Sequence, residues 1–397
     1  TRIECRRQRQ MCIRDRVKLA FLLYKYFPYG GMQRDFRRFV EETQARGHQC
    51  RVYYHAWQGD PLAGVDLRRV PVSALANHRR NQLYLDWVGG DLAADPVDGV
   101  IGFNKMPGLD VYYAADSCYL DWVTQERSWL YRLGARYRHF AAYERAVFDP
   151  AADTEILLIS ETERIKFERH YNTPPKRVHM LPPGISPDRR APPDAIARRT
   201  RIRADLGLGD DAHVLLFVGS GFIKKGLGRA IRAVANLRRE RPGQELRLLI
   251  AGQDRESRFR RLARRLGVKD AVTFLGGRDD VPDLLLGADA LIHPALDEAA
   301  GIVLLEALVA GLPVLVTDTC GYACHVATAG CGIVLPSPFS QVELDKAVRR
   351  SLDREFLGAC KARALAYADT EDLYSMHSTG AALIEQLVAA RLERGDD

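Results

Sequence analysis

DALIHPALDEAAGIVLLEALVAGLPVLVTD, residues 289–318, places an apolar run (DALIHPA), a helix-like stretch (GIVLLEALVAG) and a second apolar run (PVLVTD) in immediate succession. Short apolar runs punctuated by Gly and Pro read as buried strands. A helix joining two such strands makes a unit whose strands run parallel. After Glu298, the nineteen residues 299–317 carry a single charged group, Glu306, within a helix that is apolar all round. A helix of that kind is buried.

The same alternation extends to both sides. HVLLFVG (213–219), a helix using Leu227, Ile231 and Val234, LRLLIAG, a helix near 256–266 and VTFLG precede the quoted stretch, and GIVLP with a helical tail over about 353–390 follows it. A separate series begins at VKLAFLLY (17–24), continues through the YFPYGGM loop and a helix spaced on Phe36, Phe39, Val40 and Thr43, and runs through CRVYYHA, LRRVPV, GVIGF and LDVYYA. A long helical stretch is expected over 119–148, then EILLIS and the helix ETERIKFERHY. RVHMLPPGISPDRRAPPD (177–194), with five prolines, reads as the connection between the two series. The expected class is α/β, two Rossmann-like domains facing a central cleft, because such sheets bind ligands beyond the carboxyl ends of their strands. The expected division is an N-terminal domain over 17–180, a second over 181–365, and a helical tail over 366–397 returning to the first.

Composition supports an ordinary globular chain: 397 residues, 47% hydrophobic and 27% charged, with no apolar run near the ~18 residues of a membrane span. Of the net charge of +7, the segment TRIECRRQRQMCIRDR contributes +4, through six arginines against Glu4 and Asp15. That segment has no apolar core of a secretory signal and reads as a non-native leader over 1–16. The remainder is too nearly neutral to signal nucleic acid. Eight cysteines in this length make no disulfide scaffold, and Cys320, Cys324, His325 and Cys331 lack the paired spacing of a zinc site. No metal is expected.

An ionised carboxylate in a buried helix needs donors from the fold or from a ligand, and the paired hydroxyls of a ribose would suit Glu306. Glu298 stands just before that helix, where the amides of Ala299, Ala300, Gly301 and Ile302 are free to bind a diphosphate. A second phosphate element is GSGFIKKGLGR (219–229), a strand end turning into a helix. It fits neither a triphosphate loop nor G-x-G-x-x-G, yet Lys224 and Lys225 beside Gly226 put positive charge over a diphosphate. Gly30 and Gly31, after the first strand, are a third candidate. No D-x-D triplet is present, so departing charge would be met by lysines and helix N-termini rather than by a metal.

Glu298 and Glu306 in H-P-x-x-x-E-A-A-G-I-V-L-L-E-A, the Lys225-Gly226 turn and the tandem halves resemble the retaining glycosyltransferases of GT-B architecture, family 4. YKYFPYGGMQRDF (24–36), GFNKMPGLDVYYAAD (102–116), LPPGISPDR (181–189) and EAAGIVLLEA (298–307) resemble, more narrowly, the lipopolysaccharide core glucosyltransferases. The resemblance implies retaining transfer of glucose from UDP-glucose to an inner-core heptose, without cofactor or metal. Glu298 would hold donor-sugar hydroxyls and Glu306 the ribose. Lys225, with Lys224, would neutralise the diphosphate in a cradle completed by Ala300, Gly301, Ile302, Gly30 and Gly31. Asp116 is the acidic candidate near the acceptor, and Asp35 a weaker one. Gly219-Ser220-Gly221 stands where many relatives carry an Arg, which Lys224 would replace.

A lipid-anchored acceptor implies a peripheral enzyme on the cytoplasmic face of the inner membrane. Within 119–148, aromatics including Trp129 interleave with Arg132, Arg136 and Arg138, as suits an anionic bilayer surface. The alternatives are a nucleotide-sugar 2-epimerase of the same architecture and a basic nucleic-acid-binding module resting on the leader.

Overall fold

The computed structural model describes residues 16–28, 30–209 and 211–395. The expected leader therefore lies outside the described residues, save Arg16. The chain divides into two compact units, one running to Gly184 and resuming at Ser375, the other spanning Ile185–Tyr374.

The first unit is built on a seven-stranded parallel sheet. Its strands are β1 (Lys18–Leu22), β2 (Gln49–Tyr54), β3 (Asp66–Arg69), β4 (Gly99–Gly102), β5 (Val111–Ala114), β6 (Glu155–Leu158) and β7 (Val178–Met180). Their spatial order is β3-β2-β1-β4-β5-β6-β7. Phe21 of β1 pairs with Val52 on one side and Ile101 on the other, so the strand order reverses beside β1. That reversal is where doubly wound sheets bind ligands. Both sheet faces are covered, which is why β1 reads as an unbroken apolar run rather than an alternating one. On one face Phe36 and Phe39 of α1 (Gly31–Ala45) pack edge-on against Phe103 with centroids 5.0 and 5.7 Å away. The other face carries α2 (Asn77–Ala94), α3 (Tyr119–Glu126) and α4 (Ala135–Phe148), with Tyr84, Tyr143 and Phe148 in its core.

The single helix expected over 119–148 is in fact α3, a 3₁₀ turn over Trp129–Leu133, and α4. Extended backbone at Arg127, Ser128 and Gly134 interrupts it, Gly134 being a poor helix former.

The second unit repeats the plan with β8 (His213–Val218), β9 (Leu246–Ala251), β10 (Val272–Gly276), β11 (Ala290–His293), β12 (Val314–Thr317) and β13 (Gly332–Leu335), in the order β10-β9-β8-β11-β12-β13. Helix α5 (Leu227–Glu240) follows β8, and α6 (Ile302–Val309) joins β11 to β12. From Val303 to Val309 every residue of α6 is buried.

The boundaries differ from those expected at 180/181 and 365/366. Helix α7 (Arg354–Thr370) buries Ala364 and Ala368, together with Leu373, in the same core as α6. The second unit therefore keeps the chain to Tyr374, and Ile185 donates its amide to Leu373 at 2.9 Å. The tail is helical as expected, in two helices separated at 371–375. The last, α8 (Met376–Gly395), belongs to the first unit. There His377 meets Asp35 at 3.0 Å and Arg46 pairs with Glu385 at 2.9 Å.

Candidate active site

The loop that leaves β8 and the loop that leaves β11 are neighbours because those strands are adjacent in the sheet. Leu296 donates its amide to the Lys224 carbonyl at 2.8 Å, which ties the two loops together. Between them Gly226 has φ +76°, and a Cβ there would stand 1.9 Å from the Pro294 carbonyl oxygen. Only glycine permits both the left-handed backbone and that approach.

This packing brings three of the expected residues together. Lys225 forms an ion pair with Glu298, and Lys224 pairs with Asp297 at 3.1 Å. His293, fully buried at the end of β11, lies 3.7 Å from the same Glu298 oxygen. Burial alone would raise the Glu298 carboxyl, but nearby His293 and the Lys225 charge outweigh it and bring it down to about 2. His293 is pushed below its ordinary value, chiefly by burial. At neutral pH the site holds an ionised carboxylate, an ammonium and a neutral imidazole.

The backbone under Glu298 is fixed from β12. Gly321 donates to the Glu298 carbonyl at 3.0 Å, and Tyr322 to that of Ala300 at 2.8 Å. Thr317 and Thr319 both donate hydroxyls to the Ala295 carbonyl, at 2.8 and 3.0 Å. Gly301, at φ +84°, turns the chain into α6. The amides of Ala300, Gly301 and Ile302 thus gather at the positive end of a buried helix, whose first turn lacks internal acceptors.

Glu306, one helical turn inside α6, is buried as expected. Arg189 Nε lies 3.8 Å from its carboxylate, so the fold itself supplies part of the compensating charge. At that separation the contact is an ion pair beyond hydrogen-bond reach.

The remaining expected residues lie in the first unit. Gly30 caps α1, and Gly31 is its first residue. Asp35 uses both oxygens within its own unit, accepting from the Tyr113 hydroxyl at 2.9 Å and meeting His377. That engagement makes it a tie between α1, β5 and α8. Asp116 is exposed on the loop after β5. Beneath it, buried Glu144 accepts the amides of Tyr119 and Leu120 at 2.7 and 2.9 Å, and Glu163 accepts that of Cys118 at 2.7 Å. Lys105 donates to the Ser117 carbonyl at 2.8 Å and pairs with Glu144. Four consecutive backbone groups beside Asp116 are therefore held by buried charges.

Trp129, Leu130 and Leu133 are 69%, 58% and 64% exposed, and Arg132, Arg136 and Arg138, close to them in the chain, are exposed as well. The other aromatics pack on one another, Tyr119 lying 5.8 Å from Trp122 and 6.2 Å from Tyr137. No helix among the described residues is long and apolar enough to cross a membrane.

Sequence reasoning missed Arg189, His293 and Asp297 as members of the site, and Lys105, Glu144 and Glu163 as supports of the Asp116 loop. His293 and Asp297 fall inside the motif already quoted; nothing local marks Arg189 or Glu144.

The chain matches the family model described as Glycosyltransferase Family 4 over residues 29–189, and that described as Glycosyl transferases group 1 over residues 198–368. It is 47% identical over 367 residues to lipopolysaccharide glucosyltransferase WaaG of Escherichia coli, covering 92% of this chain and 98% of that protein. A D-inositol 3-phosphate glycosyltransferase of Streptomyces scabiei is 32% identical over 228 residues, 54% of this chain and 50% of that one. The solved structure of WaaG, a glycosyltransferase involved in lipopolysaccharide biosynthesis, superposes with a TM-score of 0.86 at 46% identity, covering 92% of this chain and 99% of that chain. The Anabaena protein HepE, solved in complex with UDP-glucose, shares the fold at 17% identity with a TM-score of 0.70, covering 95% and 100%. On that identity over nearly its whole length, the chain belongs to the lipopolysaccharide glucosyltransferase family, hexosyltransferases with two Rossmann-like units of GT-B type.

Proposed function

We propose that this enzyme transfers glucose from UDP-glucose to a heptose of the lipopolysaccharide inner core, with retention of configuration and without a metal. The observation that carries the reading is the Lys225–Glu298 pair at the head of buried α6, with Glu306 eight residues further on. A donor entering this site offers each group a complement. Its diphosphate would meet the first-turn amides of α6 and the ammonium of Lys225, supported by Lys224. Its sugar hydroxyls would donate to the Glu298 carboxylate, held ionised at any working pH. The ribose hydroxyls would donate to Glu306, buried in α6 beside Arg189. Lysine and helix N-terminus supply the positive potential that departing UDP requires, which is the role a metal would otherwise take.

The acceptor would be met by the first unit, where Asp116 stands on a loop fixed by Glu144 and Lys105. We assign Asp116 to orienting the attacking hydroxyl or accepting its proton. The exposed Trp129, Leu130 and Leu133 among arginines would lie on the anionic inner-membrane surface that carries the acceptor. The similarity to the Escherichia coli lipopolysaccharide glucosyltransferase supports the acceptor class.

The test is a transfer assay with heptose-terminated lipopolysaccharide, a panel of nucleotide sugars and excess chelator. UDP-glucose is expected to give an alpha-linked product at undiminished rate under chelation. Preference for another donor, or loss of activity restored by a divalent cation, would overturn the donor or the metal-independent reading respectively.

A further inference from the structure

Near the carboxyl ends of β1 and β2, cationic and imidazole side chains collect that the donor site does not use. Tyr24 follows β1 and His55 follows β2, their rings 6.5 Å apart. Lys25 and Arg80 both bear electrostatically on His55. His78, near the start of α2, has its ring 6.1 Å from that of His139 on α4, which in turn lies 3.9 Å from Tyr143. Tyr143 bears on Tyr24 and so joins the two halves of the cluster.

Two features set this group apart. Among the described residues, no carboxylate forms an ion pair with Lys25, His55, His78, Arg80 or His139. The acid that bears on Tyr143, Asp86, is engaged by Gln82 at 2.9 Å. Furthermore, Tyr24 Oη, Arg80 Nε and His139 Nε2 are buried and face no protein hydrogen-bond partner. Buried polar groups are normally paired, so these three unmatched atoms, in a cluster whose cations have no carboxylate partner, suit an oxyanion. The crowding also registers in His55, which burial, with Arg80 and Lys25, brings down to about 4. Burial and His78 lower His139 in the same sense.

We propose that Tyr24, Lys25, His55, His78, Arg80 and His139 form an oxyanion-binding subsite that takes a phosphate or carboxylate carried by the acceptor saccharide. The identity of the ligand rests on the transferase reading; the anion chemistry does not. Substrate so held would be anchored by a group remote from the reacting hydroxyl, and the subsite would act on acceptor binding rather than on the chemical step.

Two measurements test this on the full chain. Imidazole resonances of the wild type are followed by NMR while inorganic phosphate, or in a parallel titration acetate, is added. Saturable shifts of His55 and His139 are expected, with the His55 midpoint rising from about 4, because a bound anion favours the imidazolium. Lys25, Arg80 and Tyr24 face His55, and His78, Tyr143 and Phe140 face His139, so their positive members oppose the rise until the anion is bound. The anion that saturates at lower concentration identifies the acceptor group. Secondly, Arg80→Gln, His55→Gln and Tyr24→Phe are each expected to raise the acceptor KM about tenfold, with kcat and donor KM nearly unchanged. Absence of a saturable shift with either anion would overturn the subsite even in an active transferase. Anion binding with an unaltered acceptor KM in all three variants would overturn its assignment to the acceptor. Should the enzyme transfer no glucose, the NMR titration still decides the anion site by itself.

Discussion

Lys225 and Glu298 are separated by 73 residues in sequence yet make one ion pair, and that pair sets the chemistry of the site. The carboxyl of Glu298 lies well below its ordinary 4.5 because His293 and Lys225 outweigh the effect of burial. For an acid lowered in the folded state, the associated stability is complete above the ordinary value and is lost as pH falls through the folded one, here between about 4.5 and about 2. Lys225→Ala removes one of the two compensating groups. It is expected to shift the acid limb of the kcat/KM profile upward in pH and to lower kcat/KM at neutrality by about 10- to 100-fold, the range of a charge-assisted contact. A pH–rate profile of the variant checks both; an acid limb coincident with that of the wild type would remove Lys225 from the control of Glu298. Sequence disclosed the residue types here, and the identity of the pairings came from the fold. Glu306 is the sharper case. Its burial was legible from nineteen residues with one charge, but its contact with Arg189 spans 117 positions and joins a proline-rich connection to α6.

Elements carry the next level of constraint. The β8–α5 turn approaches the β11 loop so closely that Gly226 cannot bear a side chain: a Cβ would lie 1.9 Å from Pro294 O at φ +76°. Gly226→Ala is expected to destabilise the second unit by about 1–2 kcal/mol from the left-handed backbone alone, with further loss from the contact. Its Tm should fall in calorimetry, and donor KM should rise because Lys225 is displaced with the turn. An unchanged Tm would show that the two loops separate without penalty. The helix expected over 119–148 illustrates the limit of periodicity. Aromatic and arginine residues recur through it at helix-compatible spacing, while extended Arg127 and Ser128 break the backbone and turn Trp129, Leu130 and Leu133 outward. Glu144 on α4 then serves the loop after β5 instead of solvent, accepting two amides and pairing with Lys105. No local pattern marks a glutamate for that task, since its donors arrive from the head of α3 and the loop after β4.

At the scale of the molecule, two sheets of the same winding share one chain, and the second unit is one continuous stretch, Ile185–Tyr374. The exposed residues Trp129, Leu130 and Leu133 belong to the first unit, and Arg132, Arg136 and Arg138, close to them in the chain, are exposed as well. Each such cation near an anionic bilayer contributes about 1 kcal/mol. The triple change of these arginines to glutamate is expected to reduce binding to vesicles containing anionic lipid by at least about 100-fold, leaving transfer to a soluble, delipidated acceptor nearly unchanged. Equal sedimentation of variant and wild type with those vesicles would refute the membrane role.

Alternating apolar runs and helices by themselves determined that the chain forms two parallel, helix-covered sheets, because a strand buried on both faces can tolerate no polar alternation and its crossover must be a helix. The same runs located the ends at which Glu298, Lys225 and Gly301 would stand. Tertiary structure alone decided which charge answers which, where the second unit ends, and which aromatics of the 119–148 region remain outside. Those outcomes depend on electrostatic and packing contacts between segments far apart along the chain, whose energies fall off over a few ångströms and leave no period in the sequence.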